Sequence, residues 1–210
     1  MGCKPVDDHA ADKSNLESLL EYFFNSHGAD AAKLMLATDS TAGNNPLHTL
    51  VATSTSTSTV SEPVAVKIAT QLTGLFKKWA ASNLSQNHDR PWFMKNKNGD
   101  TPLLLAMHYN LEDLAFCFLK YDRKKTLLAS AEKENPLEFA VNNGCQRVVA
   151  EILDIIVAEK DLTSLLTFSD GSNVLHSASA SDFPGKNLIS FPFATYFKVE
   201  NRDPYNLRKF

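Results

Sequence analysis

Cys145 is the residue of this chain with the best position for a nucleophile. It follows Gly144 at the predicted start of a helix, where the helix dipole favours a thiolate. No histidine or asparagine is spaced to act as its partner, and the position is expected to be polar and partly exposed. We therefore expect no catalysis at Cys145 and predict that the chain is not an enzyme.

The other reactive side chains and motifs do not indicate metal or nucleotide chemistry. None of the 6 histidines has a second histidine or a cysteine three or four residues away, so no pair of metal ligands is predicted. Gly185-Lys186 lacks both the first glycine and the Ser or Thr of a phosphate-binding loop. We expect neither a metal nor an organic cofactor.

The composition is that of an ordinary globular unit without a strong charge field. Of 210 residues, 43% are hydrophobic and 21% charged, and the net charge is −3. This balance argues against nucleic acid binding, and no apolar run reaches the roughly 18 residues of a membrane span. The odd number of cysteines, 3, argues against a disulfide framework and for a reducing compartment. We expect a cytoplasmic protein.

The first residues match an acylation signal only in part. Met1-Gly2-Cys3 offers Gly2 for myristate and Cys3 for palmitate, but Val6 stands where the pattern requires Ser or Thr. An unmodified start is the favoured interpretation, and acylation of Gly2 and Cys3 is the alternative.

A capping box formed by Ser14 and Glu17 predicts the start of a helix. Apolar residues follow at helical spacing, and a second helix is predicted over 31–36. We therefore predict a flexible segment over 1–13 and a pair of capping helices over 14–40, which would shield the end of a stack of helices.

Four later segments repeat a turn that is followed by a helix start. In each, a side chain that can cap a helix precedes a proline or, once, a valine, and proline has no N–H to leave unpaired there. These pairs are Asn45-Pro46, Thr101-Pro102, Asn135-Pro136 and Asn173-Val174. Apolar residues then recur at intervals of three and four, so one face of each short helix is predicted to be buried. Second helices are predicted over 114–119 and 148–156, the latter after a turn at Asn142-Asn143-Gly144.

These segments resemble the ankyrin repeat, whose string is Thr-Pro-Leu-His followed by Ala-Ala. The string is nearly complete at 45–48 and 101–106, partial at 135–140 and degenerate at 173–178. Successive proline positions are 56, 34 and 38 residues apart, against about 33 in the family. The resemblance implies an all-α solenoid of stacked helix-turn-helix units, in which His48 and His176 brace the turn of a neighbouring unit.

The resemblance divides the chain into units after the capping helices. They are a repeat with a long Ser/Thr-rich insert over 41–96, repeats over 97–130 and 131–168, and a degenerate repeat with an aromatic tail over 169–210. The alternating Ser and Thr residues at 53–59 are predicted to be a solvated loop. The aromatic tail favours continuation of the chain into further sequence.

A stack of this kind without chemistry of its own is expected to bind a protein partner through its concave strip. The resemblance places the contact positions at Lys97, Asn98, Asp100, His108, Tyr109, Ala131, Glu132, Glu134, Asn142, Asn143, Ser169, Asp170, Ser172 and Ala180. Tyr109 is predicted to be the anchor, because aromatic residues dominate binding hot spots, the alternative being a half-buried side chain at the rim. Four of these positions are acidic and suggest a partner with a basic patch, the alternative being a solvated face.

The degenerate repeats and the Ser/Thr insert resemble the ankyrin-repeat effectors that intracellular bacterial pathogens deliver into host cells. This implies a monomeric scaffold that acts on host proteins in the host cytoplasm. One alternative is that the chain is the recognition part of a longer enzyme whose catalytic domain lies beyond residue 210. Another is an inhibitor or scaffold that is regulated through the Ser/Thr insert.

Overall fold

The structure is a computed structural model that describes residues 8–55, 60–83 and 90–173. These residues are mostly helical and contain no strand, which confirms the all-α class. An isolated antiparallel bridge joins Thr167 and Asn173. No helix within these ranges has both the length and the apolar character needed to cross a membrane. The predicted features at Gly2, Cys3, His176 and Ala180, and the aromatic tail, lie outside the described residues.

The described part of the chain contains eight α-helices and one 3₁₀-helix. They are α1 (Asp8–Leu36), α2 (Pro46–Ala52), α3 (Glu62–Asn83), α4 (Pro102–His108), α5 (Glu112–Leu119), α6 (Arg123–Ala131), α7 (Pro136–Asn142), α8 (Gln146–Ala158) and the 3₁₀-helix (Lys160–Leu166).

Helix α1 begins at Asp8, so the predicted start at Ser14 is wrong, as is a flexible segment that extends to residue 13. Two alanines in this stretch of the sequence favour helix. The predicted division into two helical stretches is present as a kink at His27, whose φ and ψ of −133° and 35° are not helical.

The three predicted helix starts within the described ranges are confirmed. The Asn45 side chain accepts from the backbone N–H groups of Leu47 and His48, and the Asn135 side chain makes the equivalent bonds in α7. The Thr101 side chain accepts from the N–H of Leu104. Each cap is followed by the proline that the sequence pattern requires, so local chemistry fixes where α2, α4 and α7 begin.

The helices after the kinked α1 form two rows. The first row contains the short helices α2, α4 and α7, each in contact with the next, and the second row contains α3, α5 and α8 in the same way. Each short helix also packs against the longer helix that follows it. The core lies between the rows and includes Leu47, Leu103 and Leu137, which occupy the same position in their helices and are fully buried.

Turns closed by hydrogen bonds precede α2 and α4. In the first, the Asp39 carboxylate accepts from the backbone N–H groups of Ala42 and Asn44, and these bonds, with one from the Thr41 hydroxyl, lower the pKa of Asp39 to about 2. Gly43 has φ +71°, and a Cβ there would lie 2.9 Å from Cγ of Lys97 in the second turn. The two turns therefore pack too closely for a side chain at this position.

Helix α6 was not predicted, and it lies before the turn at residues 132–134 that leads into α7. Of the predicted contact residues, Ala131 is the last residue of α6 and Glu132 is its C-terminal cap. Arg123–Ala131 contains neither glycine nor proline, and Thr126, Leu127 and Ser130 bury one side of it. The helix contacts both rows, through α4, α5, α7 and α8.

Glutamates of the second row cap the next helix of that row. The N-terminal caps of α5 and α8, Leu111 and Cys145, make no side-chain cap hydrogen bond of their own. Instead, the Glu62 carboxylate of α3 accepts from the N–H groups of Asp113 and Leu114, at 2.9 and 3.2 Å. Glu112 of α5 accepts from the N–H of Arg147 in α8 at 2.6 Å. The free N–H groups at both helix starts thus find partners on the preceding helix.

Candidate protein-binding face

Helices α4 and α7 together present an aromatic group to solvent. Tyr109, the C-terminal cap of α4, is 44% exposed, and its ring lies 5.4 Å from that of His108, edge to face. The His108 ring stacks on Phe139 of α7 with a centroid separation of 6.4 Å. We define the first-helix face as the surface formed by six residues of α4, α7 and their C-terminal caps, none of which is buried. They are Leu105, His108, Tyr109, Phe139, Asn142 and Asn143.

The predicted contact residues at the C-terminal ends of α4 and α7 differ in how available their polar groups are. The Tyr109 hydroxyl has no hydrogen-bond partner among the described residues, and the Asn142 side chain is exposed. The Asn143 amide donates to the Phe139 carbonyl at 2.9 Å and so serves the end of its own helix. Tyr109 and Asn143 are the C-terminal caps of α4 and α7, and Tyr109 is the better placed of the two to contact a partner.

The predicted acidic strip is largely balanced by lysines. Asp100 accepts from Lys133 at 2.5 Å, and Glu132 is paired with Lys95. Such surface pairs contribute only about 0–1 kcal/mol to stability, but they offset the negative charge that a partner would meet. Glu134 is the predicted acid for which the described residues supply no cation.

The remaining predicted contact residues hold the turns. The Lys97 ammonium donates to the Ser40 and Thr41 carbonyls at 2.5 and 2.9 Å, and so joins two successive turns. The N–H of Asn98 donates to the Asn96 side chain, while the Asn98 side chain is exposed. In the last described turn, the Asp170 carboxylate accepts from the N–H of Ser172 at 2.8 Å.

His48 braces the next turn, as the resemblance implied. Its ring is buried, and Nε2 lies 2.8 Å from the Asp100 carbonyl of the turn before α4, to which it can donate. Nδ1 then accepts from the N–H of Asn45, which completes a capping box. Burial lowers the pKa of His48, which keeps the ring neutral at pH 7.

Cys145 lies in a different environment from the one expected. It is 1% exposed, so the prediction of a polar, partly exposed position is wrong. Burial raises its pKa to about 12, and the nearby carboxylates of Glu112 and Glu62 add to this effect. Burial, with a smaller effect of the two glutamates, therefore outweighs the helix dipole, and the thiol stays protonated.

Phe139 is a member of the first-helix face that the sequence reasoning missed. It stands three residues after Pro136, as Leu105 stands three residues after Pro102, and both are half-buried. The sequence offered one signal for Phe139. The apolar residues of α7 that form its buried side are Leu137, Ala140 and Val141, so an aromatic residue between them at position 139 must lie on another side of the helix.

The described residues contain no group of three or more His, Cys, Asp or Glu side chains that could hold a metal.

Comparison with known proteins found no family model, no curated protein and no solved structure that matches this chain.

Proposed function

We propose that this chain is an ankyrin-repeat interaction module that binds a partner protein through the first-helix face. The observation that carries the proposal is the exposed aromatic group of His108, Tyr109 and Phe139, which spans two successive short helices. Aromatic residues at the centre of an interface supply much of its binding energy, and a rigid helical support lowers the entropy lost on binding.

The charge of this surface adds a second, weaker requirement on the partner, which is a basic residue. Because lysines already pair with Asp100 and Glu132, the attraction for a basic partner comes chiefly from Glu134, which is exposed in the turn before α7. We therefore propose a partner that covers Tyr109 with an apolar or aromatic group, with a basic residue toward Glu134. Action on host proteins as a monomeric bacterial effector is the wider role that we propose for such a module.

Affinity capture from eukaryotic cell lysate tests this proposal. Residues 1–210 serve as bait beside Tyr109→Ala, and Tyr22→Ala is the matched control because Tyr22 is an exposed tyrosine of α1, away from the face. We expect Tyr109→Ala to reduce retention of the partner at least ~10-fold and Tyr22→Ala to leave it unchanged. Circular dichroism verifies that both variants are folded. Equal retention by native chain and Tyr109→Ala would exclude the first-helix face.

A further inference from the structure

A groove with an apolar floor and a cationic rim lies between α3 and α5, in the second row of helices. Its cavity has a volume of about 470 Å³, which is within the range of ligand-binding clefts. Val66, Lys67 and Thr70 of α3 line one wall, and Phe116 and Lys120 of α5 line the other. Asp113 of α5 and Arg147 of α8, which pair with each other, also line the groove. None of these residues belongs to the first-helix face.

The cations of the groove are only partly neutralised. Arg147 is paired with Asp113, but the described residues supply no ion-pair partner for Lys67 or Lys120. The Lys120 ammonium lies 4.4 Å from the centre of the Phe116 ring, and the Arg147 guanidinium lies 4.6 Å from it. An apolar surface is thus flanked by positive charge, which is complementary to a ligand that carries both apolar and acidic groups.

The walls of the groove decide what shape of ligand fits. Both walls are helices whose backbone groups are bonded within the helix, so they offer no edge to which an extended strand could add. From Pro63 to Thr70 the α3 wall extends about 10 Å, or two turns. A helix satisfies its own backbone hydrogen bonds and can place side chains spaced three and four residues apart into such a groove.

We propose that this groove binds an acidic amphipathic helix of a partner protein. Apolar side chains of that helix would cover Val66 and Phe116, and its carboxylates would meet Lys67 and Lys120. The site is separate from the first-helix face, so the chain could hold one protein on each row of helices. Whether the groove binds such a helix does not depend on whether the first-helix face binds the partner proposed above.

Selection from a displayed library of random peptides of about 16 residues, roughly four helical turns, tests the proposal. The full chain is the bait, and peptides that it enriches are then measured against variants by fluorescence anisotropy. The test variant combines Lys67→Glu with Lys120→Glu. Lys77→Glu is the matched control, because Lys77 is an exposed lysine of the same helix α3 that does not line the groove.

We expect the enriched peptides to be acidic, with apolar residues at intervals of three and four. The double variant should bind them at least ~10-fold more weakly, since like charges then face each other, and Lys77→Glu should change binding less than ~2-fold. Enrichment without an excess of acidic residues, unchanged binding to the folded double variant, or no enrichment would overturn the proposal. Tyr109→Ala should leave peptide binding unchanged. A loss of binding in this variant would show that the peptides bind the first-helix face, and would overturn the proposal that they bind the groove.

Discussion

Two junctions between successive helix pairs are built in different ways. At the first, the turn before α4 accepts a hydrogen bond from His48, the third residue of α2. At the second, α6 precedes the turn before α7, and the third residue of α4 is Leu104, which is 2% exposed. The same register position thus holds a buried polar side chain at one junction and a buried apolar one at the other.

The third short helix, α7, again has a polar residue, Glu138, at this register position. Glu138 of α7 accepts from the N–H of Ser169 at 3.0 Å and from its hydroxyl at 2.8 Å, in the turn that follows. At two of the three junctions a polar residue at this register position thus bonds to the turn that follows, and at the other a buried leucine takes its place.

The largest effect is expected at the apolar junction. Leu104→Ala removes buried methyl groups from the hydrophobic core. We expect the free energy of unfolding to fall by about 3 kcal/mol, the usual cost of a core Leu→Ala change. Urea denaturation followed by circular dichroism measures it. Leu128→Ala is the control, because Leu128 is an exposed leucine of α6, and should cost less than ~0.5 kcal/mol.

The polar junction should be less costly to break. His48→Leu leaves the Asp100 carbonyl and the Asn45 N–H without this partner, and we expect a loss of about 2 kcal/mol at pH 7. The control is His108→Leu, which replaces an exposed histidine and should have little effect in the same urea titration. A loss as small as that of the control would show that the hydrogen bonds of His48 do not hold the junction.

The pH dependence gives a second measurement at the same residue. Burial lowers the pKa of His48 in the folded state, so the unfolded chain takes up the proton first as the pH falls below about 6.5. The contribution of His48 is present above that pH and is lost as the pH falls through its folded pKa. The difference in unfolding free energy between native chain and His48→Leu should therefore shrink from pH 7 to pH 5. A difference that grows over this interval would contradict the assignment of a neutral, buried ring.

The sequence predicted the features of this molecule that depend on neighbouring residues. The starts of α2, α4 and α7 were predictable because Asn45, Thr101 and Asn135 each cap the helix that follows them. Helix α6 was missed because no side chain caps its start. Local signals thus predicted these three helix starts, whereas the capping box of Ser14 and Glu17 did not mark the start of α1.

Features that depend on distant residues could not be read from the sequence. Burial raises the pKa of Cys145, and glutamates 33 and 83 positions earlier in the chain, on other helices, add to this effect. Asp100 is neutralised by Lys133, a residue on the far side of the unpredicted α6. The aromatic group of the first-helix face needed Phe139 to be placed beside His108, which only the contact between α7 and α4 establishes.

The smallest loss of unfolding free energy is expected at Glu138, whose side chain bonds to the following turn but is only half-buried. Glu138→Ala removes both bonds to Ser169, but water can replace them at a half-buried site, so we expect a loss of about 1 kcal/mol. Glu134→Ala is the matched control, because this exposed glutamate lies four residues earlier and makes no bond to the turn. Urea denaturation compares the two. If both variants lose the same stability, Glu138 is not a counterpart of His48, and a polar residue at this register would not indicate a turn in the next unit.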